Sequence, residues 1–375
     1  MIGHKRIPSR EGGVEIVVEE ISTRLAARGH TVHAYNRRGN FVHGTGDRYR
    51  RIKEYKGVKI IHVPTIPKKG LDALVYSFFA VIRALFGHYD AIHFHAEGPG
   101  VMISIARLFG IRTVSTIHGL DWKTAKWGGF AKKYILLGEK TIAKKADEVI
   151  VLSSNGQKYF LDNYGRSTNI IPNGVNRPEI RKPSIITEKY GLNGRDYLLY
   201  LGRIVQGKGL EYLIDAYKRM GTGTKLVIAG GSSHTDAYVE EIRERISSDS
   251  RIIMTGFVDG ALLDELFCNC AVFVIPSDSE GMSMTLLEAM SYGCSCLVSD
   301  IPENTEVVEA YAETFIRSNT DDLQKKLEYM LAAGPGRHTP DEISAFILKK
   351  YNWDDVTERH LELYKNNKGE IQSGQ

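Results

Sequence analysis

Two carboxylates, Glu280 and Glu288, stand in the stretch 275–293, Ile-Pro-Ser-Asp-Ser-Glu-Gly-Met-Ser-Met-Thr-Leu-Leu-Glu-Ala-Met-Ser-Tyr-Gly. An apolar run, Ala271 to Ile275, ends at Pro276; a polar turn follows, and the spacing predicts a helix from about Ser283 to Gly293. In a strand, loop and helix of this kind the helix N-terminus offers unpaired N–H groups and the positive end of a dipole to an anion. A carboxylate repels phosphate, so Glu280 and Glu288 are expected to accept hydrogen bonds from hydroxyls instead. A ligand with a phosphate and several hydroxyls, such as a nucleotide sugar, suits both features. Taken singly, each carboxylate has a plainer explanation: Thr285 and Glu288 have capping-box spacing, and Glu280 reads equally as a loop charge.

Two cations follow another apolar run. Residues 197–209 read Tyr-Leu-Leu-Tyr-Leu-Gly-Arg-Ile-Val-Gln-Gly-Lys-Gly, so Gly202 to Gly209 spell G-x4-G-K-G. A phosphate-binding P-loop needs Ser or Thr after the lysine to hold Mg²⁺, and Gly209 has no hydroxyl, which argues against a kinase or ATPase. Arg203 and Lys208 remain, either as surface charges or as a pair suited to a diphosphate. Near the N-terminus, Arg-Ile-Pro-Ser-Arg-Glu-Gly-Gly-Val-Glu (6–15) opens a helix whose apolar positions, Val14, Val17, Val18, Ile21 and Leu25, keep helical spacing. Gly12 and Gly13 there let a ligand approach the helix N-terminus. Three histidines, His93, His95 and His118, fall at predicted strand ends. His93 and His95 read as structural; His118, in Ile-His-Gly-Leu-Asp, shares its loop with Asp121.

Glu-Gly-Met-Ser followed by Glu-Ala-Met, with seven residues between the two glutamates, closely resembles the signature of retaining GT-B glycosyltransferases, family 4 in particular. The resemblance covers nearly the whole chain. It implies that Glu280 contacts the donor sugar and Glu288 the ribose, that Arg203 and Lys208 clamp the diphosphate beside Gly202, and that His118 contacts the donor. Gly281, Met282 and Ser283 would complete the donor loop, and the strand end Arg251–Val258 would receive the nucleobase through Phe257 and Val258. Gly12 and Gly13 would lie on the donor phosphate or acceptor side; Arg10 and Asp121 are weaker acceptor candidates. Pro-Asn-Gly-Val (172–175) is similar to the stretch before the family's interdomain linker, and Trp353 to Lys365 to its terminal helix. The family's first strand is longer than Met1–Gly3, so the natural chain is expected to begin upstream. The 7–15 segment resembles bacterial cell-surface polysaccharide transferases, rhamnosyl- and N-acetylhexosaminyl-type members included, a lean by analogy.

These residues need a scaffold. Strands are predicted at 31–35, 58–64, 91–95, 112–117 and 147–152, helices at 71–86 and 101–109, and the alternation resumes from Tyr197, with helices at 319–333 and 339–350. The fold class is α/β: two Rossmann-like doubly wound domains, which the GT-B resemblance places facing a cleft, with a C-terminal helix crossing back to the first. The expected divisions are an acceptor-side domain (1–176), a linker (177–195), a nucleotide-sugar domain (196–350) and the terminal helix (351–368), with a polar tail beyond. At 375 residues and 42% hydrophobic, two separate cores are within reach.

Net charge is +4, but residues 1–180 carry +13 and residues 181–375 carry −9. A basic half facing an anionic partner follows. Residues 122–145 interleave lysines with Trp122, Trp127, Phe130 and Tyr134, a pattern of a solvated face or of an anionic membrane surface; no nucleic-acid module accompanies it. Neither a spanning segment nor a leader is expected, hence a cytoplasmic protein, peripheral on the inner face of the plasma membrane where membrane docking applies. Cys268, Cys270, Cys294 and Cys296 lack zinc-site spacing. No Asp-x-Asp metal motif is present, so no metal or other cofactor is expected, and leaving-group charge falls to Arg203, Lys208 and a helix N-terminus. The expectation is a retaining, metal-independent sugar transfer from a nucleoside-diphosphate sugar to a saccharide or lipid-linked acceptor. The alternative is a non-catalytic nucleotide-sugar binder, against which Glu280 and Arg203 are both present. An NAD enzyme lacks its G-x-G-x-x-G, and a glycosidase needs carboxylates on both sides of one bond.

Overall fold

The computed structural model describes residues 1–38, 52–66, 71–120, 122, 129–231, 236–334 and 336–365. Contacts divide the chain into two compact units, Met1–Gly174 with Trp353–Gln375, and Val175–Asn352.

Unit 1 runs α1 (Gly13–Ala27), β1 (His33–Arg38), β2 (Glu54–Tyr55), β3 (Val58–Pro64), α2 (Leu71–Leu85), β4 (Ala91–His95), α3 (Glu97–Gly100), α4 (Ile103–Leu108), β5 (Arg112–Ile117), α5 (Gly129–Lys145), β6 (Glu148–Val151), α6 (Ser154–Tyr164) and β7 (Asn169–Ile170). The helix expected at 101–109 is α4, preceded by the single turn α3, which was not expected. β4-β5-β6-β7 form a parallel sheet, and β1-β3-β2 a smaller one in which β2 is antiparallel. The first residues join them: Ile2 donates to the His93 carbonyl at 2.9 Å and accepts from His95 N at 2.8 Å, while Tyr35 N donates to the Met1 carbonyl at 3.1 Å. The strand stub expected at Met1–Gly3 therefore stitches β1 to β4.

The last helix of the chain, α15 (Trp353–Tyr364), packs on α1 and β5 of unit 1. Trp353 is buried, and a Cβ on Gly174 would come within 2.5 Å of its ring. Gly174 of the Pro-Asn-Gly-Val stretch is therefore a close-packing residue. Arg28 holds Asp354 at 3.2 Å on the same seam.

Unit 2 runs α7 (Ile185–Tyr190), β8 (Tyr197–Leu201), α8 (Leu210–Arg219), β9 (Lys225–Ala229), α9 (Asp236–Ile246), β10 (Ile252–Gly256), α10 (Gly260–Asn269), β11 (Val272–Ile275), α11 (Met284–Ser291), β12 (Cys296–Ser299), α12 (Pro302–Val308), β13 (Glu313–Phe315), α13 (Thr320–Ala333) and α14 (Pro340–Lys350). Its sheet is parallel, in the order β10-β9-β8-β11-β12-β13. Strands β8, β9, β11 and β12 are near-continuous apolar runs buried along almost their whole length, as sheets covered on both faces require. From β8 the chain first winds outward through β9 and β10, then returns to β8's other side for β11, β12 and β13. The order reverses between β8 and β11, which is where doubly wound sheets bind ligands at the carboxyl ends of their strands.

The stretch 177–195, expected as a linker, contains α7. Glu265, on α10, accepts from Ser184 N at 2.9 Å and Ile186 N at 3.1 Å, satisfying the start of α7 with a buried carboxylate. The contact boundary falls between Gly174 and Val175, so this stretch belongs to unit 2.

Candidate active site

The β8–α8 loop and the β11–α11 loop leave the two strands at the reversal, and they carry Gly202, Arg203, Lys208, Glu280, Gly281, Met282 and Ser283. They are tied to each other. Asp278 N donates to the Gly207 carbonyl at 3.0 Å, and Gly209, at φ +71°, crosses so close that a Cβ there would stand 2.0 Å from the Pro276 carbonyl oxygen. The residue that disqualifies the loop as a P-loop is thus required by the crossing. Asp278 is held in turn by Ser318 Oγ at 2.7 Å and Tyr212 Oη at 3.3 Å.

Glu280 and Lys208, expected to serve hydroxyls and phosphate respectively, are each other's partner. Lys208 Nζ donates to Glu280 Oε1 at 2.5 Å, and Ser277 Oγ donates to the same oxygen at 2.7 Å. The glutamate side chain is only 9% exposed. Such a pair fixes the ammonium beside the N-terminal loop of α11. Arg203, by contrast, is exposed and makes no ion pair among the described residues. Its backbone is anchored: buried Tyr200 donates its hydroxyl to the Arg203 carbonyl at 3.0 Å. Burial, and then the nearby Glu280 charge, raise the Tyr200 phenol's pKa, so it stays a donor.

Ser283 caps α11, accepting from Leu286 N at 3.3 Å. Thr285 is then the second residue of the helix, and the capping-box explanation of Glu288 no longer applies; Glu288 stands just over a turn into α11, half-buried. At the other end of the edge, Gly202 N donates to the Ala229 carbonyl at 3.0 Å and Gly230 N to the Gly256 carbonyl at 2.8 Å, aligning the ends of β8, β9 and β10. Phe257, just past β10, is 51% exposed, and Val258 is buried. One carboxyl edge therefore carries an aromatic platform, two cations and two carboxylates, the chemistry that base, diphosphate and hydroxyls require.

In unit 1, Gly12 is the N-cap of α1 and supplies no side-chain cap. The helix end is not bare, however. A Cβ on Gly12 would come 2.4 Å from Glu15 Oε2, and Glu15 Oε1 accepts from Lys5 N at 2.9 Å. Glu19 likewise accepts from Ser9 N at 3.3 Å. These carboxylates fold the 5–9 loop onto α1 and oppose an anion at Gly12 and Gly13. Arg10 is exposed, 4.0 Å from Glu20; Asp121 lies outside the described residues.

His118 follows β5 and is not isolated. Its Nε2 meets His95 Nδ1 at 3.1 Å, with the rings stacked at 5.3 Å. His95 packs on His93 at 4.0 Å, and His93 packs on His360 of α15 at 5.6 Å. His93 also bonds Tyr364 Oη and Thr116 Oγ1, each at 2.7 Å. Burial, followed by the charge of His360, holds the His118 pKa down to about 3. Burial also holds His360 down to about 4, and His95 well below the usual histidine value. His93 and His95, read as structural, are part of one stack in which His95 bonds His118 and His93 packs on His95. Their i, i+2 spacing in a strand, which puts both on one face, was the available signal.

The aromatic segment 122–145 also differs from its expectation. Trp122 Nε1 donates inward to buried Glu139 at 3.0 Å, which accepts from Tyr159 and Tyr164 as well. The Tyr134 hydroxyl is buried, leaving Phe130, 73% exposed, as the outward aromatic among the described residues; Trp127 lies outside them. The larger exposed aromatic set is on or beside α2: Phe78, Phe79 and Phe86. Among the described residues no helix is long and apolar enough to cross a membrane, and no group of three or more His, Cys, Asp or Glu could hold a metal ion. The four cysteines are free thiols.

Two family profiles match, "Glycosyltransferase Family 4" over residues 11–177 and "Glycosyl transferases group 1" over residues 184–345. An uncharacterised glycosyltransferase of Methanocaldococcus jannaschii is 29% identical over 173 residues, 45% of this chain and 44% of that one. Among solved structures, sucrose-phosphate synthase from Thermosynechococcus elongatus is similar at a TM-score of 0.81, with 21% identity over 94% of this chain and 93% of the other. The Anabaena protein HepE, solved with UDP-glucose, is similar at a TM-score of 0.74, with 17% identity over 94% and 95% of the two chains. With a profile on each half and the same two-domain α/β architecture, the chain belongs to family 4 of the glycosyltransferases and has their GT-B fold.

Proposed function

We propose that this glycosyltransferase moves a sugar from a nucleoside-diphosphate donor to an acceptor hydroxyl with retention of anomeric configuration and without a metal ion. The observation that carries the reading is the Lys208–Glu280 pair at the strand-order reversal of unit 2, beside the exposed Arg203. Arg203 and Lys208 stabilise the charge that develops on the leaving diphosphate, and the N-terminal loop of α11, Gly281 to Ser283, adds backbone donors. Glu280 and Glu288 accept from sugar and ribose hydroxyls, and the base rests by Phe257 and Val258. His118 contacts the donor sugar, a role that rests on the family resemblance. That HepE binds UDP-glucose supports the donor class.

The acceptor in this reading is a lipid-linked saccharide of bacterial cell-surface polysaccharide synthesis, met at the cytoplasmic face of an anionic membrane. The charge of +13 on residues 1–180 supports it, as do Phe78, Phe79 and Phe86 around exposed Arg83. Each cation near such a surface contributes about 1 kcal/mol, screened over about 8 Å at physiological salt. Binding to anionic vesicles that disappears at high salt is expected in sedimentation; equal binding to neutral vesicles, or none, favours a soluble acceptor. The donor is tested by thermal shift against UDP, GDP and dTDP sugars, with the product anomer read by NMR. Stabilisation by one nucleotide class and a retained anomer are expected; no stabilisation by any, or an inverted product, rejects the reading.

A further inference from the structure

We infer that His95 is a positioning residue that sets the tautomer of His118, keeping its proton on Nδ1 so that the ring meets the donor sugar as an N–H donor. The inference rests on the reading of His118 as a donor-sugar contact. It begins from a single hydrogen bond between two imidazoles, His95 Nδ1 to His118 Nε2 at 3.1 Å. Both rings are neutral, because burial disfavours their charged forms. One proton lies between the two nitrogens, and it has two possible owners.

Were His118 the donor, His95 would carry its own proton on Nε2. That atom is buried and has no hydrogen-bond partner. The result would be an orphaned N–H inside the protein, the rarer and more costly kind of unpaired group. With His95 as the donor, Nε2 is left only with a lone pair. His118 then accepts at Nε2, and its proton must sit on Nδ1, which makes no hydrogen bond to any described residue. The hydrogen bond made by one ring nitrogen decides the state of the other.

His95 is well fixed for this task. Its backbone N donates to the Ile2 carbonyl at 2.8 Å, and its ring lies between those of His93 and His118. The next residue, Ala96, sits at φ 71°, ψ 165°, a region that belongs almost wholly to glycine. Such strain persists only where the surroundings hold it, and it concentrates at functional sites.

The test is long-range ¹H–¹⁵N NMR of protein labelled with ¹⁵N-histidine, the His118 ring being assigned by its loss in His118→Ala. The wild type is expected to show His118 protonated on Nδ1. His95→Asn, whose amide puts an N–H close to where Nδ1 stood, keeps that tautomer and holds kcat/KM within about threefold of wild type, because the donor is retained. His95→Leu removes the donor; His118 then populates the Nε2–H form, and kcat/KM falls about five- to tenfold, the value of one neutral hydrogen bond. A wild-type ring protonated on Nε2 overturns the inference, as does a His95→Leu variant whose His118 tautomer is unchanged. If His95→Leu does not fold, the wild-type spectrum and the Asn variant decide alone. The two readings are separable: His118→Ala with undiminished transfer removes His118 from the donor site, while the tautomer measurement still judges His95.

Discussion

Units 1 and 2 repeat one architecture, a parallel sheet wrapped by helices, and load it in opposite ways. In unit 1 the polar groups go inside: His4, His93, His95 and His360 are buried, His118 is partly so, and Glu15, Glu19, Glu97 and Glu139 lie under the surface. In unit 2 the sheet is filled by aliphatic and aromatic side chains, and the groups with chemistry to offer stand on two loops at its edge. The contrast shows two ways to position a functional residue. One stacks it on other polar side chains inside the protein; the other hangs it from a crossing of backbones.

The comparison predicts an unequal response to acid, the largest effect expected here. His4 and His118 are held down to about 3 and His360 to about 4 from an ordinary 6.5, in each case chiefly by burial. Between about pH 6.5 and 4 the unfolded chain takes up protons that folded unit 1 refuses, so stability is complete above 6.5 and falls as pH falls, by up to about 1.4 kcal/mol per pH unit for each such histidine. Hydrogen exchange across this range should show β4 and β5 losing protection before β8 and β11. Simultaneous loss in both sheets would mean that the histidines are not the weak point.

The next effect belongs to unit 2. Arg203 is exposed and contributes little to folding, so Arg203→Ala should leave Tm unchanged yet cost about 2–4 kcal/mol of transition-state stabilisation, roughly 10²–10³ in rate. Turnover within about threefold of wild type, far below the loss of a charge-stabilising donor, would remove Arg203 from the mechanism. A subtler change sharpens the same point. Glu280→Gln should lower turnover but tighten nucleoside-diphosphate binding by about three- to fivefold, because Lys208 loses a competing carboxylate in a pair worth up to about 1 kcal/mol. Calorimetry decides it: weaker diphosphate binding would mean that Lys208 does not serve the phosphate. Last comes an effect of zero. Transfer should continue in excess EDTA; activity that vanishes and returns with Mg²⁺ or Mn²⁺ would show that two side chains do not neutralise the leaving group unaided.

The same contrast explains what could be read in advance. Strands β3, β4 and β5 lie at their expected bounds because each is a short run carrying Val, Ile, Thr or Phe set between Gly, Pro or Asp residues. The unit 2 residues were legible because a loop function is written locally, in glycines, cations and carboxylates a few positions apart. The Lys208–Glu280 partnership was not, since it spans 72 positions and depends on the crossing at Gly209. The histidine stack was still less so: it needs β4, β5 and α15 together, and α15 lies at the other end of the chain. Local spacing also misled at 122–145, where Trp122 resembles an interfacial aromatic until Glu139 on α5 is seen to hold it inward.

The crossing at Gly209 limits where this scaffold can be taken by design. On paper, Gly209→Ser completes the G-x4-G-K-S pattern of a nucleotide-triphosphate loop in one step. In the protein that serine would have to occupy a left-handed backbone, at a cost of about 1–2 kcal/mol, and drive its Cβ into the carbonyl of Pro276. The two loops would part, and with them Lys208 and Glu280. A library aimed at triphosphate hydrolysis would find this variant worse than its parent at every activity screened, and the short route between the two sequence patterns is closed by geometry.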